Sequence, residues 1–185
     1  MITDKNDMTV PPWERGVRKG GEMDQRVMTD NMLKFKEVMD KHNIKFVLIF
    51  GSLLGAVRDG GLMSYDTDAD VMCFAPDHRN MGSAVSELRY EGFVVPDRND
   101  CPLNDHFMIR NGEKIDIWWF TKLRNEWVYD SAIKYPATYF DNLEEIDFLG
   151  AKFKVPQNPR KFLEHTYGPT WITPNPKGSY VLRAD

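Results

Sequence analysis

The first periodic segment of the chain places Met28, Met32, Phe35 and Met39 at spacings of four, three and four, with polar residues between them. That spacing returns to one face of a 3.6-residue helix and predicts an amphipathic helix with a buried apolar stripe. Thr29 and Asp30 offer N-cap oxygens near its start. The period then changes. Residues 45–50 (KFVLIF) form a short run of strand formers, which Gly51-Ser52 breaks; residues 53–58 suit a short helix that Asp59-Gly60-Gly61 ends.

Further along, residues 69–75 predict a second strand. Residues 76–89 predict a helix with Pro76 in its first turn, and residues 93–95 a short strand. Asn111-Gly112 between residues 106–110 and 114–121 is a strong hairpin signal, because both central positions of a type I′ turn need positive φ. In the second arm Ile115, Ile117 and Trp119 alternate with Asp116, Trp118 and Phe120, so Asp116 lies on the face opposite Ile117. Residues 144–148 and 152–155 suggest another hairpin around Leu149-Gly150. Asn158 as cap and Pro159 at the first helical position then open a helix ending near Tyr167, with Gly168 as the stop. This order implies an α+β domain: a mixed sheet flanked by helices, with a C-terminal hairpin and helix. Residues 1–26 show no period and are expected to form a flexible or irregular arm, leaving 27–185 as one domain.

Composition narrows the possible partners. A length of 185 residues suits one domain, and 42% hydrophobic residues suffice for its core. The net charge of −4 comes with no basic stripe, which argues against a grip on long nucleic acid but leaves a small polyanion open. Two cysteines, Cys73 and Cys101, are too few for a disulfide framework or a Cys-rich zinc site and read as ordinary thiols. No signal-like leader is visible and no apolar run approaches the ~18 residues of a membrane helix, so a cytoplasmic protein without a membrane span is expected.

Candidate chemistry centres on Asp66-Thr67-Asp68-Ala69-Asp70-Val71. In an extended chain Asp68 and Asp70 share a face, and Asp66 joins them if the strand starts early. Carboxylates converging at ~5 Å repel by about 3 kcal/mol per pair at an effective dielectric near 20. A hard divalent cation, Mg²⁺ or Mn²⁺, relieves that repulsion. A Ca²⁺ loop is the weaker reading, since Val71 stands where such a loop places Gly. Upstream, Gly51 and Ser52 at a helix start suit close approach to a phosphate, and Arg58 suits a bidentate phosphate contact. Asp116, alone among Ile, Trp and Phe, needs a partner: either a metal shared with Asp68 and Asp70, or a salt bridge to Arg110 or Lys114. His106 on its strand reads as structural or surface rather than as a base.

Phe50-Gly51-Ser52-Leu53-Leu54-Gly55-Ala56-Val57-Arg58, followed by Tyr65-Asp66-Thr67-Asp68-Ala69-Asp70-Val71 and the later Asp116, resembles the polymerase-beta-like nucleotidyltransferase superfamily and, more closely, its LicD family. Phe162-Leu163-Glu164-His165-Thr166-Tyr167-Gly168, with Trp171 and Pro174 beyond, is a weaker echo. The chain departs from the family pattern at Tyr65, Thr67 and Ala69, where Trp, an acid and a larger aliphatic residue are usual. The resemblance implies a nucleotidyltransferase fold in which Asp68, Asp70 and Asp116 are catalytic and, with Asp66, hold Mg²⁺ or Mn²⁺. It also implies that Gly51, Ser52 and Arg58 meet phosphate, with Tyr167 and Trp171 as candidates to contact the substrate. A donor such as CDP-choline or CDP-ribitol would pass its phospho-alcohol, phosphocholine or a polyol phosphate, to a sugar or polyol hydroxyl. The alternatives are transfer of NMP from an NTP to a small molecule or protein, and a non-catalytic nucleotide-binding module.

Overall fold

A computed structural model describes residues 21–96, 106–129 and 133–175, together with Asn6 and Thr9. Most of the expected N-terminal arm, and Cys101, lie outside the described residues. The elements in chain order are α1 (Gln25–Lys41), β1 (Phe46–Leu48), α2 (Phe50–Arg58), β2 (Asp68–Phe74), a 3-10 turn (Ala75–Asn80), α3 (Met81–Tyr90), β3 (His106–Arg110), β4 (Glu113–Leu123), β5 (Glu126–Tyr129), β6 (Ile133–Pro136), α4 (Thr138–Asp141), β7 (Glu144–Phe148), β8 (Ala151–Val155) and α5 (Pro159–Tyr167).

The main sheet has the order β1-β2-β4-β5-β6, with β3 also pairing β4; β7 and β8 form a separate hairpin. β2 and β4 run parallel, and β1 and β3 lie antiparallel to their neighbours, so the sheet is mixed. β2 is buried along nearly its whole length, which explains its almost unbroken apolar sequence after Asp70. Met28, Met32, Phe35 and Met39 of α1 are fully buried, as the stripe requires, and the helix packs on β4, β2 and α3. β8 packs on β1 through Phe153, whose ring meets Phe46 at 6.1 Å. α5 packs on α2 and fills the space over β6 and α4 with Phe162, whose ring lies 4.6 Å from Tyr135, 5.1 Å from Tyr139 and 5.8 Å from Phe140.

Several boundaries differ from the sequence reading, each for a local reason. Asp24 caps α1, its carboxylate accepting from the Arg26 and Val27 N–H groups. Thr29 lies inside the helix, donating to Gln25 O, and Asp30 pairs with Arg110. α2 begins at Phe50, so Gly51-Ser52 form its first turn instead of a break before it. Phe50 adopts φ 44°, a rare conformation for a bulky residue, held by burial and an edge-on contact with Trp118 at 4.9 Å. The helix expected from Pro76 opens as a 3-10 turn. Residues 93–95 contribute a single bridge, Val94 to Ile109. Asn158 precedes Pro159 as expected, but in a left-handed conformation and without a side-chain cap bond; its N–H donates to Glu144 Oε1 at 2.7 Å. The Asn111-Gly112 hairpin forms with both residues at positive φ, 53° and 89°.

Phe162 has no exposed surface and joins α5 to the sheet. Phe162→Ala is expected to cost about 3–5 kcal/mol, read as a lowered denaturant midpoint with an unchanged slope.

Candidate metal and transfer centre

Asp70 and Asp116 are register partners across the parallel β2–β4 pair, and Asp68 stands opposite Lys114. Because β2 and β4 are paired in register and side chains alternate, Asp68, Asp70, Lys114, Asp116 and Trp118 all rise from one face. One carboxylate oxygen from each of Asp68, Asp70 and Asp116 lies within 4.8 Å of the others. Three hard oxygen donors at that separation fit a divalent cation that prefers oxygen ligands.

Asp70 is the most enclosed of the three. Its Oδ2 accepts from Gly51 N–H at 3.1 Å, its Oδ1 accepts from the Trp118 indole N–H at 3.0 Å, and its own N–H donates to Ser52 Oγ at 2.8 Å. Gly51 is thus committed to orienting this carboxylate, and Ser52 to holding the Asp70 main chain. The α2 N-terminus that carries them favours a negative charge there. Burial, and next to it the charges of Asp68 and Asp116, push the Asp70 carboxyl well above the usual carboxylate range. A cation among the three acids reverses that effect.

Lys114 stands among these acids, its Nζ 2.7 Å from Asp116 Oδ2 and 3.2 Å from Asp68 Oδ2. Burial lowers the lysine pKa, but Asp116 and Asp68 outweigh burial and raise it to about 12. Of the two salt-bridge partners considered for Asp116, Lys114 is therefore the one engaged. Arg110 is bound to Asp30, to Asn31 Oδ1 at 3.0 Å and to Glu91 O at 2.9 Å.

Asp66 stands beside the trio. Its carboxylate overhangs Gly51, where an added Cβ would meet Asp66 Oδ2 at 2.5 Å and Asp70 Oδ2 at 3.2 Å. Burial first, then the charge of Asp68, raises its pKa to about 6, against a partial opposing effect of the Thr67 N–H. The loop that carries Asp66 is strapped from outside: Met23 N–H donates to Asp66 O and Gln25 Nε2 to Leu62 O.

Arg58 is nearly buried, with its guanidinium on both Asp59 carboxylate oxygens at 2.8 and 2.7 Å, on the Tyr65 hydroxyl at 2.6 Å and on Met63 Sδ at 3.2 Å. It ties together the turn between α2 and the acidic segment, with Tyr65 as one of its partners. Tyr167 is half-buried at the end of α5, the helix that packs on α2. Trp171 is buried, with the Arg160 guanidinium over its ring at 5.9 Å. His106 pairs in register with Ile117 on the face away from Asp116, near His78 and Trp119.

A cavity of about 170 Å³ opens next to the acids, lined by Phe107, Ile117, Trp118 and Tyr129 with Lys114, Asp116 and His106. Trp118 and Tyr129 meet edge to face at 4.9 Å, so this wall is braced against Phe50 on one side and Tyr129 on the other. Lys114 as more than an ion-pair partner of Asp116, and Trp118, Phe107 and Tyr129 as residues of the site, emerge only from the structure. For Lys114 and Trp118 the signal was present, since both share the two-residue period of Asp116.

The LicD/FKTN/FKRP nucleotidyltransferase-domain family model matches residues 43–158, which include β1, α2 and all three acids. The chain belongs to this family. The ribitol 5-phosphate transferases FKRP of Mus musculus and Homo sapiens are each 28% identical to it over 161 residues, covering 75% of this chain and 31% of theirs. An uncharacterised protein of Rickettsia prowazekii is 26% identical over 143 residues, covering 73% of this chain and 51% of its own length. The chain thus spans about a third of the length of the FKRP proteins. Among solved structures, the fold of this LicD-family chain is similar to ANT(2″)-Ia in complex with adenylyl-2″-tobramycin (TM-score 0.50, 15% identity, 70% of this chain and 68% of that one). It is also similar to the lincosamide antibiotic adenylyltransferase LnuA (TM-score 0.50, 10% identity, 74% and 84%). The fold is that of a nucleotidyltransferase. Among the described residues, no helix is long and apolar enough to cross a membrane.

Two outcomes follow for this centre. The Asp66 carboxyl holds its proton more firmly in the folded chain, near 6, than at its ordinary 3.8. Between about pH 4 and 6 the contribution of Asp66 to metal-free stability therefore falls as pH rises, and the penalty is complete above 6. Asp66→Asn is expected to melt above the wild type at pH 8 in chelator, with the gap closing as the pH approaches 4. Gly51→Ala inserts a methyl between the Asp66 and Asp70 carboxylates. It is expected to cost about 1–3 kcal/mol and to weaken Mn²⁺ binding measured by calorimetry, while far-UV circular dichroism stays the same.

Proposed function

We propose that the chain transfers a phospho-alcohol from a CDP-linked donor to a hydroxyl of a sugar or polyol, with Mg²⁺ or Mn²⁺ held by Asp68, Asp70 and Asp116. The observation that carries this reading is the convergence of those three carboxylates from two parallel strands. Family membership and the FKRP relatives, named as ribitol 5-phosphate transferases, support ribitol phosphate as the transferred group ahead of phosphocholine.

Held by Asp68, Asp70 and Asp116, a divalent cation would neutralise charge on the diphosphate and polarise its phosphoryl oxygens. Gly51 N–H, Ser52 Oγ and the Trp118 indole keep Asp70 in one orientation, so this ligand need not reorganise as charge moves. Asp66 stands outside as a fourth carboxylate of the centre. Asp116 borders the cavity, where it receives the proton of the acceptor hydroxyl. The acceptor oxygen forms the new bond to phosphorus, the phosphoanhydride bond breaks, and CMP leaves. Arg58 holds the turn before the acids and reaches phosphate only by giving up Asp59. Tyr167, half-buried at the end of α5, is retained as the candidate aromatic contact for the donor, while Trp171 is packed in the core.

Asp70→Asn is expected to lower transfer by about a thousandfold or more while the melting curve in chelator stays at or above that of the wild type. The measurement is product release from CDP-ribitol and CDP-choline with polyol acceptors in Mg²⁺. CMP release supports the reading. Pyrophosphate release from an NTP instead would establish nucleotidyl transfer, and nucleotide binding without turnover would establish a binding module. Near-normal activity of Asp70→Asn would remove the metal role of these acids.

A further inference from the structure

We propose that Lys114 is the resident cation of the acidic centre: its ammonium holds the Asp68 and Asp116 carboxylates together in the metal-free protein and moves aside when a divalent ion enters. The inference rests on the metal reading above and adds a positioning residue to it. Lys114 comes from β4 two residues before Asp116, on the same face, and stands opposite Asp68 in the register. Its Nζ lies within salt-bridge distance of both carboxylates, 2.7 and 3.2 Å. An ammonium point charge and a hard divalent ion seek the same oxygens, and two cations between the same acids repel each other.

The surroundings give the displaced ammonium somewhere to go. The Lys114 side chain is 32% exposed and also lines the 170 Å³ cavity beside Asp116. A flexible four-carbon stem lets it leave the acids without moving the strand. An anionic phosphate bound at the centre offers the freed ammonium a new partner. Metal and nucleotide therefore assist each other's binding, because each removes the cost of relocating the lysine for the other.

The test is calorimetric titration of the full chain with Mn²⁺, alone and with CDP, for wild type, Lys114→Met and Asp116→Asn. Lys114→Met is expected to bind Mn²⁺ about tenfold more tightly than wild type, and to lose much of the mutual enhancement between Mn²⁺ and CDP. Its metal-free melting point is expected to fall below that of the wild type and to recover at saturating Mn²⁺. A residue with a purely structural role would weaken metal binding when removed. Equal or weaker Mn²⁺ binding by Lys114→Met, with Asp116→Asn still abolishing it, overturns the lysine role and leaves the metal centre standing. Failure of both wild type and Lys114→Met to bind Mn²⁺ overturns the metal reading and the lysine role with it. In the wild type itself, the ¹³Cε-lysine resonance that is missing from Lys114→Arg is expected to shift with Mg²⁺. An unmoved resonance at saturating Mg²⁺ overturns the proposal even if Lys114→Met does not fold.

Discussion

The parallel pairing of β2 with β4 in the register that sets Asp70 beside Asp116 is the constraint on which the rest of the structure depends. Neighbouring strands lie about 4.8 Å apart, so paired side chains of one face must meet. Moving β4 by one residue would turn Asp116 to the far side and bring Ile115 or Ile117 in its place. The register is fixed from both sides. Ile115, Ile117 and Phe120 are buried, and β3 binds the other edge of β4 through the Asn111-Gly112 turn.

Such a register is electrostatically costly, and the neighbouring elements offset the cost in distinct ways. α2 brings the Gly51 N–H to Asp70, β4 brings the Trp118 indole to the same carboxylate, and Lys114 places one positive charge between the other two acids. Phe50 shows what this geometry demands of the backbone. Its unusual φ starts α2 immediately after Ile49, and the helix can then point its first N–H groups at β2.

Much of this was legible in the chain, because helix and strand periods are local. The stripe of α1, both turn-marked hairpins, the α5 boundaries and the shared face of Asp68 and Asp70 follow from spacing alone. β5, β6 and α4 did not. The turn between β4 and β5 places Arg124 at positive φ, a residue type that carries no such signal, and each of the three elements is only four residues long. The meeting of Asp116 with the other acids is a fact of long-range register that no local period encodes; its lone charge among apolar residues left a shared metal as one alternative, and the family resemblance favoured it. The actual partners of Arg58 were equally hidden. Tyr65 reaches it only because the turn between α2 and β2 folds back on itself, and the neighbouring Asp59 joins it there.

Asp70 and the indole that orients it are 48 residues apart in the chain. Pairing the two strands closes a loop that contains α3 and β3, and contacts of such long range tend to form slowly. Until β4 arrives, β2 has a buried-type apolar run with an unpaired edge, the kind of surface that associates with other chains. During synthesis the acidic centre cannot assemble until β4 has emerged, and a chain halted before it leaves that edge of β2 open.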